Sequence, residues 1–145
     1  MTGEIRVLRE GGLAWQCPFS RRELAMALDA MRTACGLAET AIDLTLAGDA
    51  FVCRVNADQM GCTGPTNILS FPPFPGPVTG AALLLLSLDT LERECMLYGQ
   101  DPAEHAVRLL AHGMAHVSGL DHGPEMDAAQ AAAFAAGLRA LEDSA

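Results

Sequence analysis

The stretch 109–122, LLAHGMAHVSGLDH, contains three of the chain's four histidines. His112 and His116 are four residues apart, so on a helix their side chains stand one turn apart on the same face. Gly119 is a residue type that often ends a helix, and a chain reversal there would return His122 toward the same point. Three converging imidazoles leave a fourth position open, as in a catalytic zinc site. The spacing therefore predicts one zinc ion per chain, because imidazole ligands suit zinc.

The residue after the first histidine distinguishes this string from a peptidase motif. The spacing H-x-x-x-H-x-x-G-x-x-H is that of the metzincin proteases, which carry a glutamate after the first histidine as general base. Gly113 occupies that position here. His105 lies on the same helical face, but about 10 Å before His112 along the axis. We expect it to be a surface or rim residue that does not share the ion.

Composition predicts one globular domain over residues 1–145, since half of the 145 residues are hydrophobic. The net charge of −9 argues against broad nonspecific nucleic-acid binding, although it does not exclude a local basic groove. Five cysteines without a C-x-x-C pair argue against a disulfide framework. The first residues do not form a signal peptide, and the longest apolar run, 81–86, is too short to span a bilayer. These features predict a soluble cytoplasmic protein without a membrane partner.

The order of elements indicates an α+β fold. Short β-like runs occupy 5–8, 42–46, 67–71 and 82–87, whereas 50–56 is ambiguous between helix and strand. Ser20 and Glu23 form a capping box before an amphipathic helix, and 89–98 also favours a helix. Asp101 and the following Pro102 start the helix that carries the histidines. An alanine-rich helix is predicted over 124–141.

Two motifs, taken in order, resemble one known family. The string TNILSFP at 66–72 matches TN-x-LSFP, and the string from His112 to His122 matches HG-x-x-H-x-x-G-x-DH. Residues 87–94 also look like the family's strand-to-helix step. The family is YbeY, the bacterial zinc-binding endoribonucleases implicated in rRNA maturation, and the likeness runs from about residue 42 to 122 and more loosely to the C-terminus.

The resemblance implies a single compact domain with a small mixed β-sheet and about five helices. It also implies zinc bound by the three histidines on a helix and the following turn, and rRNA and the small ribosomal subunit or its proteins as partners. Asn67 and Ser70 are expected beside the metal, where they could contact phosphate. Asp121 could orient a ligand histidine by accepting a hydrogen bond from its ring, or equally cap the turn after Gly119. Glu94 is expected to be a helix-surface charge.

The chain departs from the family pattern in the loop before the TN motif. Met60 stands where the family usually has an arginine, and Cys62 where it has a lysine. An arginine near the metal would hold a phosphate and stabilise charge in the transition state. Arg108, one turn before His112, is a candidate catalytic replacement; the alternative is a surface salt bridge. No general base can be named from the sequence.

Three functions remain in view. The first is a zinc-dependent endoribonuclease acting in rRNA maturation and ribosome quality control. The second is a zinc-containing ribosome-assembly or binding factor with weak or no catalysis, which the missing arginine and the acidic charge favour. The third is a zinc hydrolase of another substrate such as a peptide, against which Gly113 argues. The oligomeric state is not predicted.

Overall fold

A four-stranded mixed sheet forms the centre of the computed structural model, which describes residues 3–13, 15–61, 66–73, 80–120 and 123–144, with the backbone alone for residue 60. The strands are β1 (Ile5–Arg9), β2 (Ile42–Ala47), β3 (Ile68–Phe71) and β4 (Ala82–Ser87), and their spatial order is β1-β2-β4-β3. The pairs β1–β2 and β2–β4 are parallel, with Ile42 opposite both Ile5 and Ala82. Strand β3 runs antiparallel to β4 at one edge.

Five helices complete the described residues: α1 (Arg21–Ala34), α2 (Asp49–Met60), α3 (Leu88–Tyr98), α4 (Pro102–Val117) and α5 (Pro124–Ser144). The predicted capping box is present, because Ser20 Oγ accepts from the Glu23 amide at 3.1 Å and Glu23 Oε1 accepts from the Ser20 amide at 2.9 Å. Asp101 caps α4 in the same way, accepting from the Glu104 amide at 2.9 Å. The predicted α+β class, mixed sheet and helix number are confirmed.

The alternation of side chains along β4 divides the core into two layers. Leu84 and Leu86 belong to the large cluster formed with α1 and α4, whereas Leu85 packs with Val52 of α2. The stretch 50–56, which the sequence left ambiguous between helix and strand, is therefore a helix. It forms a helix because Val52 then covers the second face of the sheet. Helix α5 lies against α1 and α4. None of the helices within the described ranges has the length and apolarity needed to cross a bilayer.

Candidate metal centre

Helix α4 brings His112 and His116 together on one partly exposed face. Their ring centroids are 4.6 Å apart, the rings are nearly perpendicular at 87°, and the two Nε2 atoms are 3.1 Å apart. Two nitrogens bound to one tetrahedral zinc at 2.0–2.1 Å are about 3.3–3.4 Å apart. The observed distance between the two Nε2 atoms is therefore within a few tenths of an ångström of the distance between two ligands of one zinc ion.

Gln130 of α5 fixes the orientation of one of these rings. Its Oε1 atom lies 2.9 Å from His112 Nδ1. A carbonyl oxygen only accepts hydrogen bonds, so Nδ1 carries the hydrogen and, in the neutral ring, Nε2 keeps its lone pair. That lone pair is directed toward the side where His116 Nε2 lies. A partner on the second ring nitrogen is typical of metal-binding histidines, and the donor set thus fits a zinc ion.

The turn after α4 is described only in part. Gly119 has a φ of +86°, a left-handed conformation that suits the predicted end of the helix. Asp121 and His122 lie outside the described residues, so their predicted roles remain predictions. Across the residues that the structure describes, no group of three or more His, Cys, Asp or Glu side chains could hold a metal ion. The histidine pair needs a third ligand from elsewhere, and His122 is the sequence's candidate.

Gly113 is buried where α4 crosses β3 and β4. A Cβ atom at this position would lie 2.8 Å from Ile68 Cδ1, 3.0 Å from Ser70 Oγ and 3.1 Å from Leu84 Cδ2. Real Cβ contacts are essentially never shorter than 3.0 Å. The position therefore faces the sheet and has no room for a glutamate side chain, which agrees with the predicted lack of a peptidase base.

The two motif residues predicted to contact substrate occupy different surroundings. Ser70 lies at the contact between β3 and α4, next to Gly113 and hence one residue from His112. Asn67 uses both ends of its amide within the protein: Oδ1 accepts from the Ile68 amide at 2.7 Å, and Nδ2 donates to both carboxylate oxygens of Glu94 at 3.4 Å. Ser70 thus contacts the helix that carries the histidine pair, whereas both ends of the Asn67 amide are used within the protein.

Glu94 and His105 form a cluster that the sequence reasoning missed. The Nε2 atom of His105 is 2.9 Å from Glu94 Oε1, and the two side chains are only 12% and 24% exposed, respectively. The expectations of a rim histidine and a helix-surface glutamate were therefore wrong. The physical reason is that the start of β3, the middle of α3 and the first turns of α4 meet here, so that the half-buried side chains of Asn67, Glu94 and His105 hydrogen-bond to one another.

Arg108 lies between α4 and α5 and is already engaged. Its Nη2 atom donates to Glu104 Oε1 at 3.0 Å and Nη1 donates to Gln100 Oε1 at 3.2 Å. The guanidinium carbon is also 5.4 Å from the ring centre of Phe134. The ion pair corresponds to the salt-bridge alternative for this residue. The catalytic role proposed from the sequence is not tested by these contacts.

A second polar network holds α2 and α3 against the end of β4. Asp49 Oδ1 accepts from Ser87 Oγ at 2.8 Å and from Thr90 Oγ1 at 2.7 Å, and Oδ2 accepts from Arg93 at 2.9 Å. Burial on its own would raise the pKa of Asp49, but the hydrogen bonds from Arg93, Thr90 and Ser87 outweigh it and hold that pKa below its ordinary value. The network fixes the helix that carries Glu94.

The sequence contains little that could have identified Gln130, Glu94 and His105 as parts of these clusters. Gln130 stands in an alanine-rich helix with no motif around it, and only the packing of α5 on α4 places it beside His112. Glu94 and His105 are eleven residues apart on different helices. Their one available signal was that His105 repeats the face of His112 at a spacing of seven residues.

The comparisons with known proteins agree with this geometry. A family model described as "Endoribonuclease YbeY" matches residues 19–136. Endoribonuclease YbeY of Nitratidesulfovibrio vulgaris is 42% identical over 144 residues, covering 86% of this chain and 89% of that protein. Endoribonuclease YbeY of Oleidesulfovibrio alaskensis is 39% identical over 133 residues, covering 76% and 78%, respectively.

A solved structure supports the fold independently. The solution structure of TM1509 from Thermotoga maritima matches with a TM-score of 0.64, at 18% identity, over 97% of this chain and 93% of that one. At this identity the match supports the fold alone. The family model and the curated relatives together establish that this chain belongs to the endoribonuclease YbeY family.

Proposed function

We propose that this protein is a zinc-dependent endoribonuclease that hydrolyses phosphodiester bonds in RNA. The observation that carries the proposal is the His112–His116 pair, with Nε2 atoms 3.1 Å apart and one ring oriented by Gln130. The family membership supports the reaction class, because the matched relatives are named endoribonucleases. We assign the third zinc ligand to His122, which follows the second histidine at the family's spacing.

The protein groups have separate tasks in this reaction. His112, His116 and His122 would hold the ion as neutral donors and would leave its net positive charge intact. Zinc, when bound, supplies a positive charge for a phosphate oxygen and lowers the pKa of a water molecule. The oxygen of water bonds to phosphorus and loses a proton as one P–O ester bond breaks, and the departing oxygen takes up a proton, so that no net proton is consumed. We also assign the Ser70 hydroxyl a hydrogen bond to the substrate phosphate, since Ser70 packs against Gly113, the residue after His112.

The surroundings of Gly113 weigh against peptide hydrolysis. The close approach of Ile68 and Ser70 leaves no room for a glutamate at the position where the metzincins carry their base. A ribosome-assembly factor that binds zinc without catalysis remains the second candidate, since Met60 replaces the family's arginine. The two functions predict different results for the same cleavage assay.

Ribosomal RNA is the substrate we assign, with maturation of the small ribosomal subunit as its setting and a cytoplasmic location as part of the same proposal. The net charge of −9 supports contacts to basic partners such as ribosomal proteins at some distance from the site. The substrate would then be positioned partly by the assembled particle, which reduces the need for an extended basic surface on this chain.

Cleavage of a small-subunit rRNA fragment by the zinc-loaded protein tests the proposal. We expect the parent to cut the RNA and His112→Ala to lose activity. His105→Ala is the matched control, because it removes a histidine from the same helix without removing a proposed ligand. Zinc binding without cleavage by the parent, on free rRNA and on small subunits alike, would reject the nuclease and favour the binding factor.

A further inference from the structure

We propose that the pocket between α4 and α5 binds one RNA base next to the cleaved bond. The pocket has a volume of about 240 Å³ and is lined by Arg108, Asp127, Gln130, Ala131 and Phe134. This inference rests on the proposed function, because it assigns a substrate subsite to the same RNA-cleaving centre.

The pocket lies beside the histidine pair, because Gln130 contacts both. The same side chain lines the pocket and accepts the hydrogen bond from His112 at 2.9 Å. The pocket therefore opens one side chain away from a proposed zinc ligand. A nucleotide whose phosphate lies at the histidines could place its own base, or that of its neighbour, in this pocket.

The chemistry of the lining favours a base over a phosphate. The guanidinium carbon of Arg108 lies 5.4 Å from the ring centre of Phe134, and planar cations and aromatic rings are the surfaces on which RNA bases stack. The charge of Arg108 is offset by Glu104 at 3.0 Å, and Asp127 adds a carboxylate to the lining. A phosphate would meet that carboxylate, whereas the edge of a base can donate hydrogen bonds to it. We therefore assign Arg108 a stacking role.

The test adds bulk to the pocket without removing a core contact. Ala131 is exposed on α5, so Ala131→Trp should fill the pocket and leave the fold intact. Ala132→Trp is the matched control, since this neighbouring residue is exposed and does not line the pocket. Each protein is assayed on short RNAs in which an abasic nucleotide replaces each base around the cut bond in turn.

We expect one abasic position to slow cleavage by the parent by about 5- to 150-fold, the usual range for loss of one stacked base. Ala131→Trp should cut intact RNA more slowly by a similar factor and should show no further loss at that abasic position. Ala132→Trp should behave like the parent. An abasic penalty of the same size in Ala131→Trp, or no sensitive position in the parent, would overturn the subsite.

A second readout separates this inference from the proposed function. RNA carrying 5-iodouracil at the sensitive position, or at each position if nothing is cleaved, is irradiated with the protein, and the crosslinked residue is identified by mass spectrometry. A crosslink to Phe134 supports the subsite even if the parent cleaves no RNA, a result that would reject the proposed function alone. Crosslinks that map only outside the α4–α5 pocket would overturn the subsite.

Discussion

Replacing Gln130 should weaken zinc binding although this residue is not a proposed ligand. Gln130→Leu removes the acceptor 2.9 Å from His112 Nδ1, so the ring loses the contact that fixes its hydrogen on Nδ1 and its lone pair on Nε2. Loss of such a contact typically costs 10- to 100-fold in metal affinity. Because Gln130 is a neutral acceptor, we expect the lower end, about a tenfold rise in the zinc Kd or about 1.4 kcal/mol.

Gln130→Glu provides the informative contrast. A carboxylate forms a stronger hydrogen bond to the ring and raises its basicity, so zinc affinity should equal or exceed that of the parent. Gln16→Leu, the same chemical change at an exposed position before α1, is the control for a general effect. Affinities are measured by competition with a chromophoric chelator, and ¹⁵N chemical shifts report which His112 nitrogen carries the hydrogen. A Gln130→Leu affinity equal to that of the parent would refute the reasoning.

Three further outcomes follow from the described contacts. Gly113→Ala should destabilise the protein, since about 1–3 kcal/mol of overpacking exceeds the roughly 1 kcal/mol gained in helix propensity; urea unfolding measures the difference, and an increase in stability would contradict it. Asp49→Asn should cost about 2 kcal/mol at neutral pH. Because the folded-state pKa of Asp49 is lowered, the ionised group stabilises the fold above its unfolded pKa of about 3.9 and this stabilisation is lost as the pH falls through the folded-state pKa. The variant's deficit should thus shrink below about pH 4, and a pH-independent deficit would contradict this. Arg108→Ala should reduce RNA cleavage while zinc remains bound; complete loss of cleavage would favour a phosphate-binding role over stacking.

Most of the fold could be predicted from the sequence, because the interactions that start its helices form between residues close together in the chain. The Ser20 capping box and the Asp101 cap satisfy amide groups within the same turn, so sequence spacing alone identifies them. The stretch 50–56 could not be assigned, since Phe51, Val52 and Val55 suit either a helix or a strand. This stretch forms a helix because it packs on the second face of the sheet, a surface that is built by strands distant in sequence.

The residues of the candidate site also differ in whether the sequence can predict their positions. The spacing of His112 and His116 predicts their juxtaposition, because one helix positions both residues. Glu94, His105 and Gln130 owe their positions to contacts between different helices. No periodicity records such contacts, so the half-buried Glu94–His105 pair was predicted to be a surface or rim histidine and a helix-surface charge. The contact of Arg108 with Phe134 could not be predicted from the sequence either, since Phe134 belongs to another helix.

Zinc stoichiometry across a set of histidine variants tests the central claim most directly. The claim is that His112, His116 and His122 hold one zinc ion in the RNA-cleaving centre. Metal analysis of purified, dialysed protein should give one zinc per chain for the parent and for His105→Ala, and close to none for alanine at any of the three proposed ligands. Equal zinc content in the parent and in His122→Ala, or a parent that holds no zinc, would contradict the account.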